Sequence, residues 1–222
     1  MLRSLSAFFK PISGTREHRV EVLLSSLAFF ASLIANYYGS VYAALRVSNP
    51  VTDIVLSNTR PYDVDIAFVY GALLLIIFSA VLLITHPKKI PFALYTLSIF
   101  WFTRAIFISL THLAPFPTHT PINFTSDFGI FLSKMFFGDS LFFSGHTGTP
   151  FLMALLFWET KSLRYIFLGW SVFFGVVVLL GHIHYTIDVL SAFFITYGVY
   201  DIAKWLFPTE YELFKSAKTL DE

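Results

Sequence analysis

The chain reads as long apolar stretches separated by short polar ones. A membrane-spanning helix needs about 20 mostly apolar residues. Six windows meet or approach that length: 20–45, 66–85, 90–113, 142–158, 163–180 and 185–206, the fourth being the shortest. Each is continuously apolar rather than alternating every second residue, which argues against a transmembrane β-barrel. The expected fold is all-α, an integral membrane bundle of six transmembrane helices. The expected organisation is an N-terminal segment over 1–19, a six-helix membrane domain over 20–207 and a polar, mobile tail over 208–222. Residues 2–9 read either as an amphipathic stretch lying in the headgroups or as a frayed end.

The basic residues fall unevenly between the two sides that these windows define. One side receives Arg3, Lys10, Arg16, Arg19, Lys88, Lys89, Lys161, Arg164, Lys204, Lys215 and Lys218. The other receives Arg46, Arg60 and Lys134, while Arg104 lies inside the third window. Cytoplasmic loops carry the excess of Lys and Arg, so both termini are expected in the cytoplasm. Loops 47–65 and 114–141 and the turn at 181–184 are then expected on the outer or lumenal face. Loop 114–141 holds Pro115, Pro117 and Pro121, which disfavour helix, and Asn123-Phe124-Thr125, an N-glycosylation sequon.

Composition narrows the function classes. Charged residues make up 13% of the chain, against about 25% in soluble domains, as expected of a protein solvated by lipid. The net charge of +1 gives no reason to expect a nucleic-acid partner. There is no cysteine, which removes disulfides, thiolate catalysis and cysteine-based metal sites together.

Two polar clusters interrupt the apolar background. One runs from Gly138 to Thr147 and contains Asp139 and Ser144-Gly145-His146; the other runs from Gly181 to Asp188 and contains His182, His184 and Tyr185. The topology brings both to the same face at the same depth. Helical spacing places His184 and Asp188 one above the other. Asp188 then fixes the imidazole tautomer and makes the other nitrogen a better nucleophile or base. An Asp at the bilayer centre costs about 2.5–3.5 kcal/mol, which favours function over a structural pairing. Ser144 reads as an N-cap, so the chain after it offers an anion site of backbone N–H groups. Gly145 allows close approach of a phosphate, and His146 is a candidate proton donor to a leaving alkoxide. Arg104 supplies a planar fork suited to phosphate oxygens, or else snorkels to the interface. Thr111 lies two turns further along the same helix. His146, His182 and His184 are also a candidate zinc set, against which stand apolar neighbours that offer few supporting partners.

Ser144-Gly145-His146 followed by His184-x3-Asp188 resembles the lipid phosphate phosphatase superfamily. The general phosphatase branch also carries a Lys-x6-Arg-Pro motif and an Arg six residues before the second His. The motif is absent here, and Val178 stands at the Arg position. Gly138-Asp139-x3-Ser144-Gly145-His146-Thr147, His184-Tyr185-Thr186-x-Asp188-Val189 and Arg104-x6-Thr111 are instead similar to the sphingomyelin synthase branch. Departures from that branch include Phe137 for a Cys, Trp101 for a Tyr, a missing double Arg, and an early Pro-rich motif suggested only by Pro50 and Asp53. These bear on substrate identity more than on reaction class.

The resemblance implies a six-helix, lipid phosphate phosphatase-like core without metal or other cofactor, in which His146, His184 and Asp188 form a catalytic triad. Arg104, Ser144, Gly145, Asp139, Thr111 and Tyr185 are the candidate phosphate and substrate contacts. The expected activity is transfer of a phospho-head group from a glycerophospholipid to a lipid alcohol, ceramide or diacylglycerol, through a phospho-histidine. Two other readings stay open. One is a phosphatase or phospholipase C-type hydrolase using the same site, and the other a non-catalytic lipid transporter or binding protein.

Overall fold

The computed structural model describes residues 15–119 and 141–217. Their α-helices are α1 (Arg16–Ala44), α2 (Asp65–Thr85), α3 (Ile90–Leu110), α4 (Gly145–Leu156), α5 (Lys161–Leu180), α6 (Thr186–Leu206) and α7 (Pro208–Ser216). Short 3₁₀ turns at Leu56–Asn58 and Pro87–Lys89 sit in the loops before α2 and α3. The boundaries follow local chemistry. Thr15 caps α1 by accepting from the His18 N–H at 3.3 Å, and Pro91 and Pro208 occupy first turns, where a missing N–H costs nothing.

Among the described residues, five helices are long and apolar enough to cross a bilayer: α1, α2, α3 with the turn before it, α5 and α6. The chain is accordingly a multi-pass membrane protein. The expected sixth span is not a full one. The window 142–158 yields α4, of 12 residues, about 18 Å at 1.5 Å per residue, against a hydrocarbon core of about 30 Å.

The reason lies at the entry to α4. Phe142 (φ 90°) and Phe143 (φ 20°) turn the chain out of helical geometry. Their rings lock against Phe107 and Phe100 of α3, with centroids 5.6 and 5.4 Å apart. Irregular backbone at membrane depth is tolerated where protein covers it, and Leu141, Phe143 and Ser144 are all buried. The helix start is thereby set inside the bundle. His146 lies against Phe174 of α5, and Phe174 precedes the end of α5 at Leu180 by six residues, or about 9 Å.

The helices alternate in direction as the windows implied. At one end, Ser48 N–H donates to His112 C=O (2.7 Å) and Tyr62 N–H to Leu180 C=O (2.9 Å), joining the loops after α1, α3 and α5. At the other, Tyr95 donates to Glu21 (3.0 Å) and stacks on Phe207 (4.2 Å).

At that second end the expected polar tail proves to be partly helical. α7 carries Glu210 in its first turn and Lys215 in its last, matching the helix dipole. Its Phe214 is buried against Phe92, and Lys89 Nζ donates to the Phe214 carbonyl at 2.7 Å. The residues expected at 2–9, Asp139 and the Asn123 sequon lie outside the described residues.

Candidate active site

The start of α6 carries the centre of the site. His184 Nδ1 is 3.1 Å from Asp188 Oδ2, and the same oxygen accepts the Tyr185 N–H at 3.2 Å. Asp188 sits at the third position of α6, so one carboxylate both closes the helix start and orients the imidazole. Both side chains are buried, Asp188 completely. Asp188 Oδ1 is buried with no hydrogen-bond partner among the described residues. With Nδ1 turned to the carboxylate, Nε2 is the nitrogen left for chemistry.

The start of α4 is held to this pair directly. Ser144 N–H donates to the Asp188 carbonyl at 2.9 Å. The Ser144 hydroxyl accepts from Thr147 N–H (3.3 Å) and Thr147 Oγ1–H (3.1 Å), so it is occupied in capping. Ser171 of α5 donates to the Thr147 carbonyl at 2.8 Å and fixes the same turn from outside. His146 lies between Phe68 of α2 (4.2 Å) and Phe174 of α5 (5.8 Å).

Arg104 reaches the site from α3, six residues before that helix ends. It is buried, so its guanidinium points into the bundle and does not snorkel. Nη1 donates to Asn36 Oδ1 on α1 at 2.9 Å. A Cβ on Gly145 would lie 3.2 Å from Arg104 Nε and 3.3 Å from the Trp101 ring. The glycine therefore lets the guanidinium rest directly on the start of α4. The Arg104 guanidinium and the Asp188 carboxylate attract one another across the site. A fixed cation beside the N–H groups of a helix start is a two-part anion site.

A groove of about 270 Å³ runs from this site along the interior, lined by His146, Gly145, Trp101, Leu97, Ala72 and Leu75 among others. Its walls come from α1, α2, α3 and α4, and apart from His146, Ser79 and Thr149 its lining residues are apolar.

The structure thus brings together His146, His184, Asp188, Arg104, Ser144 and Gly145. It places two other expected contacts differently. The Tyr185 hydroxyl donates to the Ala114 carbonyl (2.9 Å) and accepts from Val51 N–H (3.2 Å), stapling two loops to the start of α6. The Thr111 hydroxyl bonds back to the Phe107 carbonyl (2.8 Å) at the end of α3. His182 is turned away from His184. It adopts φ 51°, and its ring lies 2.6 Å from Thr118 Oγ1 and 3.2 Å from Thr59 Oγ1. Among the described residues no three His, Asp or Glu side chains are grouped as a metal site.

Two supporting residues were given no role by the sequence, Asp53 standing there only as part of a faint motif. Asp53 accepts from Thr186 N–H (2.7 Å), Thr186 Oγ1–H (2.8 Å) and the N–H groups of Val55 (2.9 Å) and Leu56 (3.1 Å). It ties the loop after α1 to the helix start that carries the site. Burial pushes its carboxyl upward, but these donors outweigh that and hold it below its ordinary value. Asn36 is the other, an amide inside a continuous apolar span, which is itself a signal of a polar partner.

Residues 138–206 match the family model described as PAP2 superfamily C-terminal. The match covers both polar clusters and supports the lipid phosphate phosphatase superfamily, and with it an enzyme acting on lipid phosphates. No curated protein matches the chain, and no solved structure does.

Proposed function

We propose that the protein is a membrane phosphotransferase that moves a phospho-head group, of phosphocholine or phosphoethanolamine type, from a glycerophospholipid to the hydroxyl of ceramide or a similar lipid. The observation that carries this is the buried His184–Asp188 pair joined to the start of α4 beside Arg104. Within an apolar bundle, that set supplies a nucleophile, its orienting carboxylate, a proton carrier and an anion site.

In the first step His184 Nε2 attacks phosphorus and the P–O bond to the glycerol breaks. His146 gives its proton to the departing diacylglycerol oxygen. The head group remains on His184 as a phospho-histidine, so one difficult displacement becomes two. In the second step neutral His146 takes the proton of the acceptor hydroxyl, whose oxygen attacks phosphorus and breaks the P–N bond. Arg104 and the N–H groups at the start of α4 hold the phosphate oxygens as negative charge concentrates. Asp188 stabilises the positive charge that His184 carries while the head group is bound to Nε2. The apolar groove beside His146 suits an acyl chain, so a lipid is seated with its phosphate at the polar end.

The basic-residue bias supports a topology with both termini in the cytoplasm and the site toward the outer or lumenal face. If water takes the acceptor's place, the same residues give a hydrolase. Purified protein in detergent with fluorescent ceramide and a choline phospholipid tests the reading. A phosphosphingolipid formed by wild type and not by His184→Ala supports transfer. Free diacylglycerol or inorganic phosphate with unchanged ceramide supports hydrolysis. Labelled phospholipid bound and left intact supports a non-catalytic role.

A further inference from the structure

We propose that His182 is a positioning residue for the nucleophile, its imidazole pinning the turn that presents His184 to two separate loops. The inference rests on the proposed role of His184 as nucleophile.

The backbone of the turn singles the residue out. α5 ends at Leu180, and the chain leaves it through a pair of hydrogen bonds. Ile183 N–H donates to the Val178 carbonyl (2.8 Å) and His182 N–H to the Leu179 carbonyl (3.1 Å). This pattern puts the second residue after the helix in the left-handed region, where glycine is the usual occupant. The chain has its glycine one position earlier, at Gly181, and His182 itself adopts φ 51°. A side chain there carries a backbone cost that glycine would not. Local conflicts of this kind are kept where a side chain is needed for function.

The contacts of the ring supply the need. His182 is 1% exposed. Its Nδ1 lies 2.6 Å from Thr118 Oγ1 and its Nε2 3.2 Å from Thr59 Oγ1. Thr59 belongs to the loop between α1 and α2, and Thr118 to the chain that follows α3. A hydroxyl both donates and accepts, so the two threonines suit either tautomer. Phe116 packs edge-on against His182 and Tyr185, at 5.6 and 6.0 Å. Two residues beyond His182, the His184 N–H reaches the same Val178 carbonyl at 3.3 Å. Asp188 orients the His184 ring, while His182 fixes the backbone from which that ring extends. A nucleophile displaced by about 1 Å can lose about 100-fold in rate, so the hold on this turn is a hold on catalysis.

The experiment compares full-length wild type, His182→Gly, Thr59→Val/Thr118→Val and the three changes combined. His182→Gly relieves the backbone and removes the ring. The valine pair keeps the ring and removes its partners, and it serves if His182→Gly folds poorly. Rapid mixing with a choline phospholipid, without acceptor, gives a burst of diacylglycerol whose amplitude counts intact sites and whose rate reports the first step. Both variants should keep the amplitude and lower the rate about tenfold or more, with half-saturation by donor within about twofold of wild type. The combined variant should be no slower than His182→Gly, because ring and hydroxyls act as one unit. A wild-type rate with reduced amplitude is what a purely structural role gives, and it would overturn the proposal, as would additive losses in the combined variant. A second arm follows the His184 Nδ1 proton by NMR, identified by its loss in His184→Ala. Its exchange with solvent should speed about tenfold or more in either variant, and unchanged exchange would overturn the proposal. That arm judges His182 even if no diacylglycerol is released, a result that would count against the phosphotransfer reading alone.

Discussion

The backbone N–H of Ser144 donates to the carbonyl of Asp188 at 2.9 Å. Through this one bond the helix start that presents His146 is fixed to the helix start that presents His184, although 38 residues separate the two histidines. Each side chain is also held from behind, His184 by Asp188 and His146 by Phe68 and Phe174. The relative placement of His146 and His184 is therefore a property of packed helix termini.

The division of labour predicts graded losses. His184→Ala removes the nucleophile and should abolish turnover. Asp188→Asn keeps the shape but no longer favours the productive tautomer, and should lower kcat by about 10³-fold or more. His146→Ala should lower kcat by about 10²–10⁴-fold. The loss at His146 should shrink when the donor carries a good leaving group that needs no proton. Steady-state kinetics with natural and activated donors checks this, and an equal loss with both would contradict the assignment.

Filling the groove should separate lipid seating from phosphate chemistry. Ser79 lines it away from His146. Ser79→Trp should raise KM for long-chain donors by about tenfold or more, with a smaller change for short-chain, water-soluble ones. Equal effects on both chain lengths would mean that acyl chains lie elsewhere.

His182 gives the loops that it joins a pH dependence. Burial holds its imidazole below the ordinary 6.5, with the Asp53 charge opposing and His119 adding to the shift. The folded protein therefore binds this proton less readily than the unfolded chain does. The stabilisation is present above pH 6.5 and is lost as pH falls through the lower folded value. Between about pH 7.5 and pH 5, the thermal midpoint of wild type should fall more than that of His182→Gln. Parallel curves would remove His182 as the cause.

Asp53 acts lower on the scale. Its carboxyl is held below 3.8 by its hydrogen bonds, so its contribution is present above that pH and disappears as acid protonates the folded form. At neutral pH Asp53→Asn should lower the thermal midpoint and slow turnover, because one of the two carboxylate oxygens that accept from Thr186 is replaced by a donor. Once acid has protonated Asp53 in the folded form, the variant and wild type should converge. A gap that persists in acid would show that charge is not the reason Asp53 matters.

Long spans were legible in the sequence because apolar runs of that length have one physical outcome in lipid. Windows 66–85 and 163–180 became α2 and α5 with boundaries shifted by at most two residues. Window 142–158 misled because hydropathy counts apolar side chains and is blind to backbone geometry. Phe142 and Phe143 are apolar yet turn the chain, and Ser144 starts the helix only after them. The tail over 208–222 misled for the opposite reason, since its polar composition hid one anchor, Phe214. In the site, the His184–Asp188 pair followed from local helical spacing. Asn36 and Asp53 did not, because each acts across a tertiary contact, 68 and 133 residues from its partner. Tyr185 was placed by motif and Thr111 by helical spacing from Arg104 as well, and their hydroxyls are taken by backbone carbonyls.

The central claim is that His184 carries the head group between donor and acceptor. The direct measurement is intact-protein and peptide mass after rapid mixing with a choline phospholipid and an alkaline quench, which preserves phospho-histidine. Wild type should gain the mass of one phospho-head group, mapped to His184, more abundantly in His146→Ala if release is slowed, and not at all in His184→Ala. Lipid turnover with no adduct on His184, or an adduct that survives in His184→Ala, would contradict the account.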